Sequence, residues 1–227
     1  MLLKNRGQGQ ITLASRNPAL TPIFLDAVMR LPMTVLAGVF LWREWQALEM
    51  AQGWLRVMAH VATMLFLALI AAMTLARRRP LRKSDGWLPR LAALAGLLML
   101  YCLLLFPRAA ADAPWDAASL ALLLGGHVLC AVTLLQLGRS FSVMPEARKL
   151  VTAGLYSRVR HPLYMAEAVA TLGVFLQYRT LGAALLVAAQ FAVQLWRMRE
   201  EEKVLDAQFP EYAAYRARTA RLIPGVY

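Results

Sequence analysis

Six stretches of this chain are apolar over a length that suits a membrane crossing: Pro22–Leu41, Val57–Ala76, Leu91–Phe106, Ala117–Leu137, Pro162–Gln177 and Thr180–Trp196. Crossing the hydrocarbon core takes about 20 mostly apolar residues, or somewhat fewer where flanking side chains snorkel to the interface. Lipid offers no partner to a backbone amide, so an open chain crosses only as helix. Composition agrees, with 59% of the 227 residues hydrophobic and 17% charged, against roughly 45–50% apolar residues in soluble domains. The fourth stretch has no charged residue, whereas the first holds Asp26 and Arg30, spaced to pair on one helix face. The expected fold is therefore all-α, a polytopic transmembrane bundle of about six spans.

Charge orients the bundle. A net charge of +12 raises nucleic acid as a partner, but there is no basic stripe interleaved with aromatics. The cations instead gather at alternate span ends: Arg77, Arg78, Arg79, Arg82, Lys83 and Arg90 in one connection, Arg139, Arg148, Lys149, Arg158 and Arg160 in another, and six more after Trp196. The intervening connections hold only Arg43, Arg56, Arg108 and Arg179. By the positive-inside rule both termini and the Gly138–His161 loop face the cytoplasm, which predicts a bacterial-type inner-membrane protein with its chemistry on the cytoplasmic side. Only Tyr178 and Arg179 separate the last two spans, so these form a tight helical hairpin that brings His161 near Arg197. After Trp196 the pattern changes to Arg-Met-Arg-Glu-Glu-Glu-Lys-Val-Leu, read as an amphipathic cytoplasmic helix or helix pair along the interface, with Pro210 starting the second.

Several function classes drop out. Lys4 and Arg6 are followed by polar Gln8, Gln10 and Asn17 rather than an apolar run, so no secretory signal is expected. Cys102 and Cys130 lie in predicted spans without metal-ligand spacing, and His60 and His127 read as hydrogen-bonding groups between helices. No metal site, Ser/His/Asp order, phosphate-cradling loop or internal repeat is found. Residues 1–227 are expected to form one integral membrane domain.

Chemistry concentrates in the last third. Gly154-Leu-Tyr156-Ser-Arg158-Val-Arg160-His161-Pro162-Leu-Tyr164 is a polar, turn-prone segment entering the fifth span. Further on come Arg197-Met-Arg-Glu200-Glu201-Glu202-Lys-Val-Leu205, then Phe209-Pro-Glu-Tyr212-Ala-Ala-Tyr215, then Arg221-Leu-Ile-Pro224. Taken in order, these resemble the signature of the isoprenylcysteine carboxyl methyltransferases and the related phospholipid methyltransferases. The resemblance covers roughly 137–227, and it departs at Ala166, where the family usually has Gly; Glu167 follows inside the span.

The resemblance implies a cytoplasm-facing S-adenosylmethionine site in 137–227, with Tyr156, His161, Pro162, Tyr164, Glu201, Glu202 and Tyr212 binding the cofactor. It implies catalytic roles for Arg160, Arg197 and Glu201. These residue types suit a ligand that carries a sulfonium, an ammonium, a carboxylate and an adenine. The acceptor would be lipophilic, an isoprenylated cysteine-like carboxylate that enters sideways from the membrane lipids and is clamped by Arg160 and Arg197. A lipid amine N-methyltransferase shares these motifs but needs a base, for which His161 or Glu167 would serve. The ending Ile223-Pro-Gly-Val-Tyr227 also resembles that of NADPH-dependent membrane sterol reductases.

Overall fold

A computed structural model describes residues 20–78, 80–84, 87–103, 106–110 and 112–225, with the backbone alone for 20–33, 83, 90, 97, 100 and 101. The elements in chain order are α1 (Leu20–Glu49), α2 (Trp54–Ala76), β1 (Arg82–Lys83), α3 (Leu88–Cys102), α4 (Ala113–Leu137), β2 (Glu146–Ala147), α5 (Pro162–Phe175), α6 (Leu181–Gln208) and α7 (Tyr212–Ala217). Each of the six apolar stretches falls on one of α1 to α6. Among the described residues α2, α4 and α6 are long and apolar enough to cross a membrane, and α5 is a shorter apolar helix. The pairing of Asp26 with Arg30 and the reading of the first 19 residues lie outside what is described.

Burial runs opposite to that of a soluble bundle. Val35, Leu65, Leu124, Val128, Leu135 and Leu185 point outward, while Ser119, Thr133, Thr171, Gln190 and Gln194 are buried between helices. Apolar side chains gain nothing by leaving lipid, so close backbone approach and interhelical hydrogen bonds hold such a bundle together. The α4–α5 seam shows this. A Cβ on Gly126 would lie 2.6 Å from the Ala170 nitrogen and one on Gly173 2.9 Å from that of Leu123, and Ser119 Oγ donates to the Gly173 carbonyl at 2.8 Å. The tryptophans mark the two interfaces: Trp42, Trp45, Trp54 and Trp115 are exposed at one end, Trp87 and Trp196 at the other. This is an integral membrane protein.

α5 and α6 are joined by a short turn as expected, with Arg179 in the left-handed region at φ 44°. Thr180 caps α6 by accepting from the Ala183 amide at 3.1 Å. Two expectations about the tail need correction. α6 does not stop at the interface; it continues unbroken from the membrane to Gln208, because 197–208 contains no Gly or Pro and is rich in residues with high helix propensity. Glu201 and Glu202 therefore ride on the extension of a span, not on a separate interfacial helix. Pro210 sits in the turn, and α7 begins two residues later at Tyr212.

At the Trp196 end, two connections and the C-terminal segment fold into a cap. β1 pairs antiparallel with β2, and the C-terminal strap lies alongside the segment that enters α5. Arg160 N donates to the Ala220 carbonyl at 2.8 Å, His161 N to that of Arg221 at 3.1 Å, and Ala220 N to that of Arg158 at 3.1 Å.

Candidate active site

Gly154 begins the site's geometry. It sits at φ 65°, a region open to glycine and strained for other residues, and a Cβ there would meet Gln136 Oε1 at 2.6 Å. The same Gln136 Oε1 accepts from the Leu155 amide at 2.9 Å, which fixes the turn Gly154–Ser157 on the end of α4. The turn buries Tyr156, whose carbonyl accepts from the Tyr215 hydroxyl at 2.7 Å. Pro162 occupies the first turn of α5, where its missing N–H costs no helical bond.

The two neighbouring carboxylates of α6 have separate surroundings. Glu202 is buried and is the centre of a cationic cage. Its Oε1 meets Arg160 Nε at 2.9 Å, His161 Nε2 at 3.1 Å and Arg221 Nε at 3.1 Å, and its Oε2 meets Arg221 Nη2 at 2.7 Å. Burial pushes this carboxyl up, but hydrogen bonds from His161, Arg221 and Arg160 outweigh it and hold the group well below the usual carboxylate range. Glu201 instead accepts from the Tyr164 hydroxyl and lies 4.0 Å from His161 Nδ1. His161 thus stands between the two, edge-on to the Tyr164 ring at 5.6 Å.

The two arginines expected to act together are also unlike. Arg160 Nη1 donates to the carbonyls of Arg216, at 2.9 Å, and Thr219, so together with its bond to Glu202 this guanidinium fastens the strap. Arg197 lies over the Tyr164 ring at 5.2 Å and donates from Nη2 to the Val143 carbonyl at 3.0 Å. Its Nε is buried without a hydrogen-bond partner. The one-turn pairing of Arg197 with Glu201 is not formed.

These groups enclose a cleft of about 170 Å³. Tyr156, Arg160, His161, Tyr164, Glu167, Arg197, Glu201 and Tyr212 all line it. Glu202 and Pro162 stand behind that wall. Tyr212 is fully buried with an unpartnered hydroxyl. Burial pushes the Tyr156 and Tyr212 phenols well up and that of Tyr215 up to about 12, so all three are neutral donors at any working pH. Glu167, on α5, accepts from Gln194 Nε2 at 3.0 Å.

A second void of about 120 Å³, walled by Leu36, Phe40, Phe66, Leu67 and Ala71, lies between α1, α2, α3 and α6 and shares Ile70, Val143, Glu167 and Arg197 with the cleft. A polar chamber and an apolar one thus meet at Glu167 and Arg197. The sequence reading missed the Ser140–Val151 wall, whose backbone carbonyl at Val143 holds Arg197, and gave Arg221 no role. Only its place in the Arg-Leu-Ile-Pro ending signalled it.

Comparison with known proteins bears on the same residues. Residues 115–212, a little under half of the chain, match the family model described as phospholipid methyltransferase. The eukaryotic intramembrane Ras methyltransferase ICMT (isoprenylcysteine carboxyl methyltransferase) superposes with a TM-score of 0.52 at 16% identity, over 92% of this chain and 85% of that one. The fold is that of an isoprenylcysteine carboxyl methyltransferase. Segment and fold together are of the membrane methyltransferase type.

Two curated relatives have different names. The cobalt-zinc-cadmium resistance protein CzcN of Cupriavidus metallidurans is 34% identical over 126 residues, 53% of this chain and 56% of that protein. The nickel-cobalt-cadmium resistance protein NccN of Alcaligenes xylosoxydans xylosoxydans is 32% identical over 117 residues, 48% of this chain and 54% of that protein. The matches thus span about half the length of these relatives. Among the described residues no His, Cys, Asp and Glu side chains group so as to hold a metal ion.

Proposed function

We propose that the cleft binds S-adenosylmethionine and serves methyl transfer to a lipophilic acceptor at the cytoplasmic face of an inner membrane, the favoured acceptor group being an isoprenylated cysteine-like carboxylate. The observation that carries this reading is the joining of the polar cleft to the apolar void at Arg197 and Glu167. A lipid tail reaching through the second, apolar chamber would place its polar end in the first.

The residues present suit the cofactor. Glu201 and Tyr164 would hold its ammonium or sulfonium side, the Tyr156 and Tyr212 rings its flat aromatic part, and the free Tyr212 hydroxyl offers a donor. Bound there, S-adenosylmethionine supplies a methyl group on a positively charged sulfur, an electrophile that an ionised carboxylate attacks without a general base. Arg197 orients the acceptor carboxylate, its unpartnered Nε giving it one more bond to make. Arg160, His161 and Glu202 position the strap that closes the site. With water excluded, each charge-assisted bond in the cleft is stronger than it would be in solvent.

A second reading has its own support. Glu167 is an acid at the junction of the chambers, where an ammonium acceptor would find a counter-charge and a base. Transfer of a labelled methyl group to a short isoprenylated cysteine, set against a phospholipid amine, separates the two. Label on the isoprenylated carboxylate supports the favoured reading, label on the amine alone supports the second, and label on neither in a protein that binds the cofactor removes both.

A further inference from the structure

The membrane end opposite the cleft contains a second set of polar groups that methyl transfer does not use. His60, at 5% exposure, contacts Glu44 Oε2 through Nδ1 at 2.6 Å, and Arg108 Nη1 reaches its Nε2 at 3.5 Å. His60 thus links Glu44 to Arg108 through its two ring nitrogens. The Glu44 charge is thereby turned toward His60, and Arg108 is held in place.

The backbone around Arg108 is also fixed. Ala109 N donates to the Gln177 carbonyl at 2.8 Å, and Arg179, stacked at 5.4 Å over Trp115, donates to the Ala110 carbonyl at 3.2 Å. The loop before α4 is thus tied to the α5–α6 turn. Beside it opens a cavity of about 260 Å³ lined by Arg43, Glu44, Gln46, Ala47, Phe106, Arg108 and Tyr178. With Glu44 engaged by His60, its cationic side is Arg43 and Arg108. Trp42 and Trp45 are exposed on the same stretch of α1, and Trp54 and Trp115 at the same end, so the cavity opens at headgroup depth.

We propose that this cavity is a binding site for the anionic headgroup of a membrane phospholipid, gripped by Arg43 and Arg108, in the leaflet away from the methyl-transfer cleft. Two guanidinium groups at headgroup level match a phosphate bearing a net negative charge. The neighbouring Gln46 amide offers further donors, and the apolar edge of Phe106 and Ala47 suits the glycerol end of the lipid. The site rests on none of the residues assigned to methyl transfer, so it stands or falls separately.

The test is lipid binding to detergent-purified full chain by native mass spectrometry, with short-chain phosphatidylglycerol and phosphatidylcholine as probes and inorganic phosphate as competitor. Wild type should retain phosphatidylglycerol in preference to phosphatidylcholine. Arg43→Gln and Arg108→Gln should each weaken that retention about tenfold, the loss of one charge-assisted contact, and Arg108→Lys should weaken it less. Arg82→Gln, at the other membrane end, should change nothing. Because Arg43 is exposed, an unchanged unfolding temperature is expected in Arg43→Gln, whereas Arg108→Gln also loses its contact with buried His60, so unfolding temperatures are recorded for every variant. Retention at the wild-type level in a folded Arg43→Gln/Arg108→Gln double variant would overturn the site, as would an equal loss in Arg82→Gln. Displacement by millimolar phosphate would assign the cavity to a soluble anion and overturn the lipid assignment.

Discussion

Glu201 and Glu202 are adjacent in sequence and should fail in different ways when neutralised. Glu202 has side-chain exposure of 7%, and its partners Arg160 and Arg221 have 10% and 22%, so all three are largely out of water. Glu202→Gln keeps one acceptor oxygen but sets an amide N–H₂ against a guanidinium that was paired at 2.7 Å. Breaking one partner of a buried pair costs about 3–5 kcal/mol, and the retained oxygen lowers that to about 3 kcal/mol, on the scale of one or two charged hydrogen bonds. The loss falls on the strap, because Arg160 and Arg221 are what hold it to the α5 entry. The assay is limited trypsin digestion with thermal unfolding in detergent: Glu202→Gln should speed cleavage after Arg218 and Arg221 and lower the unfolding temperature, while Glu201→Gln should do neither. Acid should act likewise. Because this carboxyl is held below its ordinary value, its stabilisation is full above about pH 4.3 and drains away as pH falls toward the folded-state value. A wild-type digestion half-life and unfolding temperature in Glu202→Gln would refute this division of labour.

Three further outcomes follow from the same geometry. Gly154→Ala should destabilise the cap by roughly 2 kcal/mol, from the left-handed backbone and the contact with Gln136, measurable by thermal unfolding; a neutral result would contradict the assigned turn. Arg197→Lys should lower turnover with little change in cofactor affinity, since lysine lacks the planar fork, whereas Arg160→Lys should chiefly loosen the strap in the trypsin assay; equal turnover losses with intact straps would restore a two-arginine clamp. Single cysteines at exposed Leu81 and Ala217 should resist an impermeant thiol reagent in intact cells while one at Gln52 reacts; the reverse pattern would invert the topology.

Much of the architecture was legible because lipid imposes a simple rule on backbone amides, and the six apolar stretches became six helices. The motif residues were legible too: Tyr156, Arg160, His161, Tyr164, Arg197, Glu201 and Tyr212 converge on one cleft. What one-dimensional spacing could not carry was partner choice. Arg197 and Glu201 have the right separation to pair, yet each bonds a group from elsewhere in the chain, because the cap brings the Val143 carbonyl to Arg197 and α5 brings the Tyr164 hydroxyl to Glu201. The break expected after Trp196 misled for a related reason: a change from apolar to charged composition marks the membrane surface, not the end of a helix. The role of Glu202 was hidden because its cage draws on two segments remote from it in the chain, the α5 entry at Arg160 and His161 and the strap at Arg221.

The central claim is that the cleft is a methyl-donor site, and calorimetric titration of the detergent-purified protein tests it most directly. S-adenosylmethionine and S-adenosylhomocysteine should both bind, and NADPH should not. Glu201→Gln should weaken S-adenosylmethionine by about 1.5–3 kcal/mol, the worth of one charged hydrogen bond, without loss of fold. Binding of NADPH in place of the sulfonium, or wild-type S-adenosylmethionine affinity in a folded Glu201→Gln protein, would contradict the account.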